Sequence, residues 1–193
     1  TKYDIRNKIT YMPQKHNAAL VLEMSDDMIE NPHGSCMVGD RIFLGNRTGT
    51  ATIVRFNDPS DLSDYDTQVI SGYDKIESMT YDAVHDRIYG TMRSDNDGYL
   101  HILDFDPDNL PGYSVHATVF VGAVSPAITT DGAYLYGGTY SYTQTPKAFK
   151  INVITWSVAD SVTLSGWNGV HGATVNPARN QLYLTGGNGT PRM

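Results

Sequence analysis

A short segment recurs along this chain at a nearly fixed interval, and that recurrence constrains the fold more than any other feature. The copies are Asp40-Arg-Ile-Phe-Leu-Gly45, Asp86-Arg-Ile-Tyr-Gly90, Gly132-Ala-Tyr-Leu-Tyr-Gly137 and Asn180-Gln-Leu-Tyr-Leu184. Aligning Ile42, Ile88, Leu135 and Leu182 gives spacings of 46, 47 and 47 residues. Other landmarks keep the same phase. Before each copy lies a turn and a short apolar run: Pro32–Val38, Ile76–Tyr81, Val124–Thr129 and Val170–Val175. After it comes a third run that ends in a turn, with Thr52–Pro59 matching Leu100–Pro107 and a third copy in Lys147–Asn152. A fourth run follows at Gln68–Ile70, Ala117–Val121 and Ser161–Leu164.

Each repeat therefore reads as four short strands separated by Gly, Asp, Asn and Pro turns. Leu100, Ile102 and Asp104 alternate with His101, Leu103 and Phe105, and both sets are fairly apolar. That pattern suits a sheet stacked between two neighbouring sheets. No segment sustains the 3.6-residue apolar period of a helix. Four-stranded units of about 40–50 residues are the signature of propeller blades. The expected fold is all-β, a β-propeller of about four four-stranded blades within a single domain, 1–193. The blades cover about 25–70, 71–121 and 122–164, with a composite of 165–193 and 1–24. Residues 1–24 supply the third and fourth strands of that composite, around Tyr3-Asp-Ile5 and Ala18–Leu22, and the C-terminal stretch supplies its first and second. The two halves either join and close a four-bladed ring, or the chain is a segment of a longer propeller. A chain that opens at Thr1 without an initiator Met favours the segment.

Pro cannot donate to a sheet ladder, so Pro59 and Pro107 are expected just past the ends of third strands. Ile42, Ile88, Leu135 and Leu182 are expected at equivalent buried positions on the second strands.

Charge narrows the partners. The formal net charge is −7, and no Lys/Arg cluster stands out, which opposes general affinity for nucleic acid or anionic lipid. No apolar run approaches the roughly 20 residues of a membrane span, so no membrane insertion is expected. Cys36 is the one cysteine, which precludes an internal disulfide and reads as a small buried hydrophobe.

The strongest candidate site residues are His33 and His171, at the entry to the innermost strand of their repeats. Neutral imidazole is a good ligand, and in a propeller both would lie near the central channel. The bland alternative is a tight His-Gly turn, with Gly34 and Gly172 supplying backbone freedom; no carboxylate is evident at a matching position of another repeat. His85, His101 and His116 each occur in one repeat and are expected to be structural or solvated. Trp167, in an inter-blade turn, is a candidate for an exposed binding aromatic, as are Tyr73, Tyr140 and Tyr142; Trp156 is expected to pack between blades. Asn46-Arg-Thr48 and Asn188-Gly-Thr190 match the N-glycosylation pattern. Ser94-Asp-Asn-Asp-Gly98 reads as a hairpin turn rather than a calcium loop, which needs a later bidentate acid. Asp58, Asp61, Asp64 and Asp66 read as a solvated loop. No catalytic constellation, metal site or cofactor motif is identified.

The Pro32-His-Gly and Val170-His-Gly turns, each followed about ten residues later by an aromatic strand, resemble the YVTN/YncE-like, NHL-related propeller repeats. Gln181-Leu-Tyr-Leu-Thr185 with Asn188 is similar to that family's Tyr-Val-Thr-Asn strand, as is Ile42-Phe-Leu-Gly-Asn46. The other copies depart from it, with Ser78-Met and Pro126-Ala in the His-Gly place. The resemblance covers nearly the whole chain and implies a propeller. It does not choose a chemistry, because such repeats serve secreted and surface binding domains as well as lactonase- and lyase-like enzymes.

The leading expectation is a non-catalytic binding or structural module. It would belong to a secreted, cell-surface, virion or extracellular assembly (or the periplasm), with a protein or carbohydrate ligand and possible self-assembly through blade edges. The alternative is a hydrolase or lyase using His33 and His171 at the channel mouth.

Overall fold

The computed structural model describes residues 32–46, 49–93, 100–117, 124–140 and 145–186. The first sheet is β1 (Pro32–Val38), β2 (Arg41–Asn46), β3 (Thr52–Asp58) and β4 (Asp61–Val69). The second is β5 (Lys75–Asp82), β6 (Arg87–Arg93), β7 (His101–Asp106) and β8 (Asn109–Ala117). The third is β9 (Val124–Thr130), β10 (Tyr134–Tyr140), β11 (Lys147–Asn152) and β12 (Val158–Thr163). β13 (Val170–Asn176) and β14 (Gln181–Gly186), linked through a short 3₁₀ turn at Pro177–Arg179, form a two-stranded sheet. Within every sheet the strands pair antiparallel in chain order, as successive hairpins dictate.

The repeat register is reproduced residue for residue on the second strands. Ile42 faces Phe56, Ile88 faces Phe105 and Leu135 faces Ile151 across β2/β3, β6/β7 and β10/β11, and Leu182 faces Val175 across β13/β14. Ile88 and Leu135 are fully buried, whereas Ile42 and Leu182 are half-buried. The difference follows from position in the stack. Ile88 belongs to the core between the first and second sheets, with Phe43, Ile53, Ile76, Leu103 and Phe105. Leu135 belongs to the core between the second and third, with Tyr89, Leu100, Ile102, Phe149 and Ile151. Side chains alternate between the faces of a strand, so Ile42 points away from the core that holds Phe43. Leu182 sits in a sheet of two strands among the described residues.

The same alternation splits β7 and the residue before it, sending Leu103 and Phe105 to one core and Leu100 and Ile102 to the other. Trp156 lies where it was expected, between blades. Its ring stacks on His116 at 4.2 Å and meets Tyr89 edge-on at 5.4 Å. Pro59 and Pro107 directly follow β3 and β7, as a residue without an N–H requires. The Pro107 carbonyl accepts from Arg41 Nη1 and from Arg55 Nη1, both at 3.0 Å, which ties the first sheet to the second.

Two sequence expectations need correction. The fourth strands begin earlier than the pattern indicated, at Asp61, Asn109 and Val158 rather than Gln68, Ala117 and Ser161. They are the outermost strands, and β12 is exposed along nearly its whole length and carries no apolar alternation to read, whereas β8 packs Leu110, Tyr113 and Val115 against the first core. Consequently Asp61, Asp64 and Asp66 lie on β4 rather than in a loop. Charge there suits an edge strand, where it discourages pairing with another chain. Asp66 accepts from Arg55 Nη2 at 2.6 Å and from Asn57 Nδ2 at 3.1 Å, and these contacts hold its carboxyl below the ordinary range.

Of the expected composite blade, β13 and β14 are placed. Residues 1–24, and the pairing expected for Ala18–Leu22, lie outside the described residues.

Candidate functional site

The first strand of each sheet carries an irregularity at one and the same place. The ladder register slips between Pro32 and Gly34 in β1, between Ile76 and Ser78 in β5, and between Val170 and Gly172 in β13. In β9 it slips between Val124 and Ala127. The residue after each slip pairs with a residue three beyond the aliphatic anchor of its repeat: Gly34 with Gly45, Ser78 with Thr91, Ala127 with Gly138, and Gly172 with Thr185. The bulged positions are therefore His33, Glu77 and His171, with Ser125 and Pro126 together at the corresponding place in β9. A bulge leaves a residue out of the ladder and re-aims its side chain, and bulges recur beside functional sites.

This register corrects the sequence alignment, which set Ser78-Met79 against His33-Gly34. The turn after β5 (83–86) is two residues longer than the turn after β1 (39–40), and the bulge itself leaves no mark in the residue pattern. With the right register, a carboxylate does occupy the matching position of a neighbouring repeat. It is Glu77, which sequence reasoning missed.

The four first strands pack side by side, β1 on β5, β5 on β9 and β9 on β13. Together they line a cleft of about 240 Å³, into which His33, Glu77, Ser78 and His171 contribute the principal polar side chains. Gly34 permits the close approach of β1 to β5, since a Cβ there would come within 3.0 Å of Ser78 Cα. His33 Nδ1 lies 2.8 Å from the Glu77 main-chain oxygen and 3.2 Å from Glu77 Oε2. Glu77 is buried, whereas His33 is partly open to solvent. Ser78 Oγ accepts the N–H of Ile128 at 3.3 Å, carrying the polar network on to β9. His171 is exposed, and its ring meets that of Tyr140 at 5.2 Å.

Trp167 is not among the lining residues. It is half-buried in the turn between β12 and β13 and packs over Gly186, where a Cβ would lie 2.2 Å from its ring. Asn46 is also committed elsewhere. It is buried, its Nδ2 donates to Thr50 O at 2.7 Å and its Oδ1 accepts from Thr52 N at 2.8 Å, so this amide ties the β2–β3 turn. Asn188, Tyr142 and the Ser94–Gly98 turn lie outside the described residues. Cys36 packs against the first core, and burial pushes its thiol up to about 12.

The other described histidines make contacts within the fold. His85 Nδ1 bonds Asp82 Oδ2 at 2.8 Å, His101 packs against Tyr73, and His116 stacks on Trp156. Among the described residues no three His, Cys, Asp or Glu side chains gather as metal ligands would. No helix there is long and apolar enough to cross a membrane.

Four-stranded meanders stacked face to face, with their first strands around a shared cleft, are the blades of a β-propeller. The likeness to solved propellers agrees. A gluconolactonase from Xanthomonas campestris superposes with a TM-score of 0.61 at 11% identity, over 87% of this chain and 58% of its own. A nidogen/laminin complex gives 0.55 at 11% identity, over 82% and 52%. An auxiliary nutrient binding protein from Bacteroides thetaiotaomicron gives 0.55 at 14% identity, over 82% and 36%. The chain thus spans about half, or less, of the length of these structures. At such identity the likeness establishes the fold alone. No protein-family model and no curated protein matches the chain.

Proposed function

We propose that this chain is a non-catalytic binding module of a β-propeller protein that works outside the cytoplasm, in a secreted, cell-surface or extracellular assembly. The observation that carries the reading is the cleft built from equivalent bulges, where neighbouring repeats converge His33, Glu77, Ser78 and His171 on one small volume. A fold that re-aims one position of its first strands and sets His33, Glu77 and His171 there has a surface suited to a ligand. The acidic balance of the chain, with 21 Asp and Glu against 14 Lys and Arg, supports a small molecule, protein or carbohydrate partner over nucleic acid. The fold is shared with a nidogen/laminin complex and a nutrient binding protein, which is compatible with extracellular binding work. The His-Gly bulges on β1 and β13 further suggest membership of the YVTN/YncE-like repeats, within one propeller domain spanning the chain.

A thermal-shift screen of sugars, organic acids and peptides tests the reading. A ligand at a hundredfold excess over its Kd stabilises by about 2.7 kcal/mol, or about 5–10 °C for a chain of this size. The His33→Ala/His171→Ala double variant should abolish that shift; an undiminished shift would place binding elsewhere.

One observation favours a hydrolase or lyase as the second reading. The Glu77 main-chain oxygen and carboxylate both engage Nδ1 of His33, the arrangement that leaves the far ring nitrogen to move a proton. The shared fold with a gluconolactonase lends it support. Turnover of a lactone that is lost in His33→Ala would establish it over simple binding.

A further inference from the structure

Two side chains in the cleft have their hydrogen-bonding roles fixed by the backbone around them, and those roles select a ligand chemistry. A main-chain carbonyl only accepts, so the His33 Nδ1 that lies 2.8 Å from Glu77 O carries the proton. The Glu77 carboxylate, 3.2 Å away, favours the same tautomer. Neutral imidazole protonated at Nδ1 presents Nε2 as a bare acceptor. Among the described residues nothing bonds to that nitrogen. Ser78 is the complement: its Oγ lone pair is engaged by the Ile128 N–H, which leaves the hydroxyl proton to be donated. His33 and Ser78 thus offer one acceptor and one donor, on adjacent blades.

We infer that the cleft takes a small neutral polyhydroxy compound, of the size of a single sugar ring or cyclic polyol. One ligand hydroxyl donates to His33 Nε2, and a ligand oxygen accepts from Ser78. Glu77 is a positioning residue that fixes the imidazole. The inference rests on the binding reading above and gives it a ligand class. The cleft of about 240 Å³ has room for a compact ring. Among the described residues no Lys or Arg lines the cleft, and Glu77 is buried beside it, so a carboxylate or phosphate ligand meets no fixed cation there. An ammonium ligand supplies donors only and has no acceptor for the Ser78 hydroxyl proton. A hydroxyl both donates and accepts, and so satisfies both partners.

Long-range ¹H–¹⁵N NMR of the imidazoles, with glucose and myo-inositol as neutral probes, gluconate as the matched anion and glucosamine as the matched cation, tests this on the whole chain. The expected result is an Nδ1-protonated His33 whose Nε2 resonance shifts on saturation with a neutral probe. His33→Ala and Ser78→Ala should each weaken that binding about tenfold, the worth of one hydrogen bond, while Ser78→Thr retains it. An Nε2-protonated His33 in the free protein overturns the inference. Preferential binding of gluconate or glucosamine overturns the ligand class and leaves the binding reading standing. If none of the four probes perturbs His33 or Ser78, the inference fails; if nothing in the wider screen does, the binding reading fails with it.

Discussion

Substituting Gly138 by Ala tests whether close packing between blades, rather than strand propensity, governs this fold. Gly138 sits on β10 three residues past Leu135, against the first strand of the next sheet. A Cβ there would lie 2.3, 2.5 and 2.7 Å from Cγ2, Cβ and Cγ1 of Val170. Carbon atoms rest at about 3.5–4.0 Å, so β10 and β13 would have to separate by about 1 Å. Val170 cannot turn aside cheaply, because it is fully buried and β-branched, with a stiff χ1. The adjacent bridge between Tyr140 and Gly169 pins the same backbone. Overpacking of this kind costs about 1–3 kcal/mol, which lowers Tm by about 2–12 °C at this chain length. Propensity alone predicts the opposite sign, since glycine inside a strand is about 0.5–1 kcal/mol worse than alanine. Gly90→Ala is the control. The nearest atom to its added Cβ, Met79 Cγ, is 3.4 Å away, so that variant should be neutral or slightly more stable. Urea and calorimetric unfolding read both variants. Adding Val170→Ala to Gly138→Ala should cost less than the sum of the two single changes. A Gly138→Ala protein as stable as the parent, or additive behaviour in the double variant, would refute the reasoning.

Asp82 is buried and accepts from Val84 N at 2.9 Å, His85 Nδ1 at 2.8 Å and Tyr89 Oη at 3.1 Å. Asp82→Ala should cost about 2–4 kcal/mol, and adding Tyr89→Phe should recover part of it by removing the stranded hydroxyl; equal stability of the single and double variants in urea would contradict this. Cys36 should react with a thiol reagent at pH 8 far more slowly in the folded protein than in urea, because burial raises its thiol from 9.0 to about 12. The sign of the accompanying stability change is a loss as pH rises above about 9, where the unfolded thiol ionises and the folded one does not; native reactivity equal to that in urea would show that the site is open. Burial opposes ionisation of Asp131, but the Tyr136 hydroxyl and the N–H groups of Tyr134 and Ala133 outweigh it and hold the carboxyl below its ordinary value. That contribution is present above about pH 4 and fades as pH falls through the lowered value, so Tyr136→Phe should raise the Asp131 midpoint in a ¹³C carboxyl titration. An unmoved midpoint would show that the hydroxyl is not what holds it.

Strands with an apolar code were legible residue by residue. Ile42, Ile88, Leu135 and Leu182 recur at one register position, and at Ile88 and Leu135 that position presents an aliphatic side chain to the preceding blade, a demand that local pattern records. Pro59 and Pro107 were legible for a backbone reason, and Trp156 because a large ring in a turn needs a neighbouring sheet to cover it. The outer strands were not, because β4 and β12 face solvent and any polar residue satisfies them.

The candidate site divides along the same line. The sequence alone determined the blade repeat, the place of His33 and His171 on first strands, and the acidic balance that argues against polyanionic partners, since spacing and composition are properties of the chain itself. Only the tertiary structure decided that Glu77, not Ser78, shares the position of the histidines, that it holds the His33 ring, and that Trp167 stays out of the cleft while Asn46 is spent on a turn. A bulge changes which residues face one another without changing any residue. The partner of a side chain at such a point is set by how closely two sheets approach, which no stretch of sequence from either blade contains.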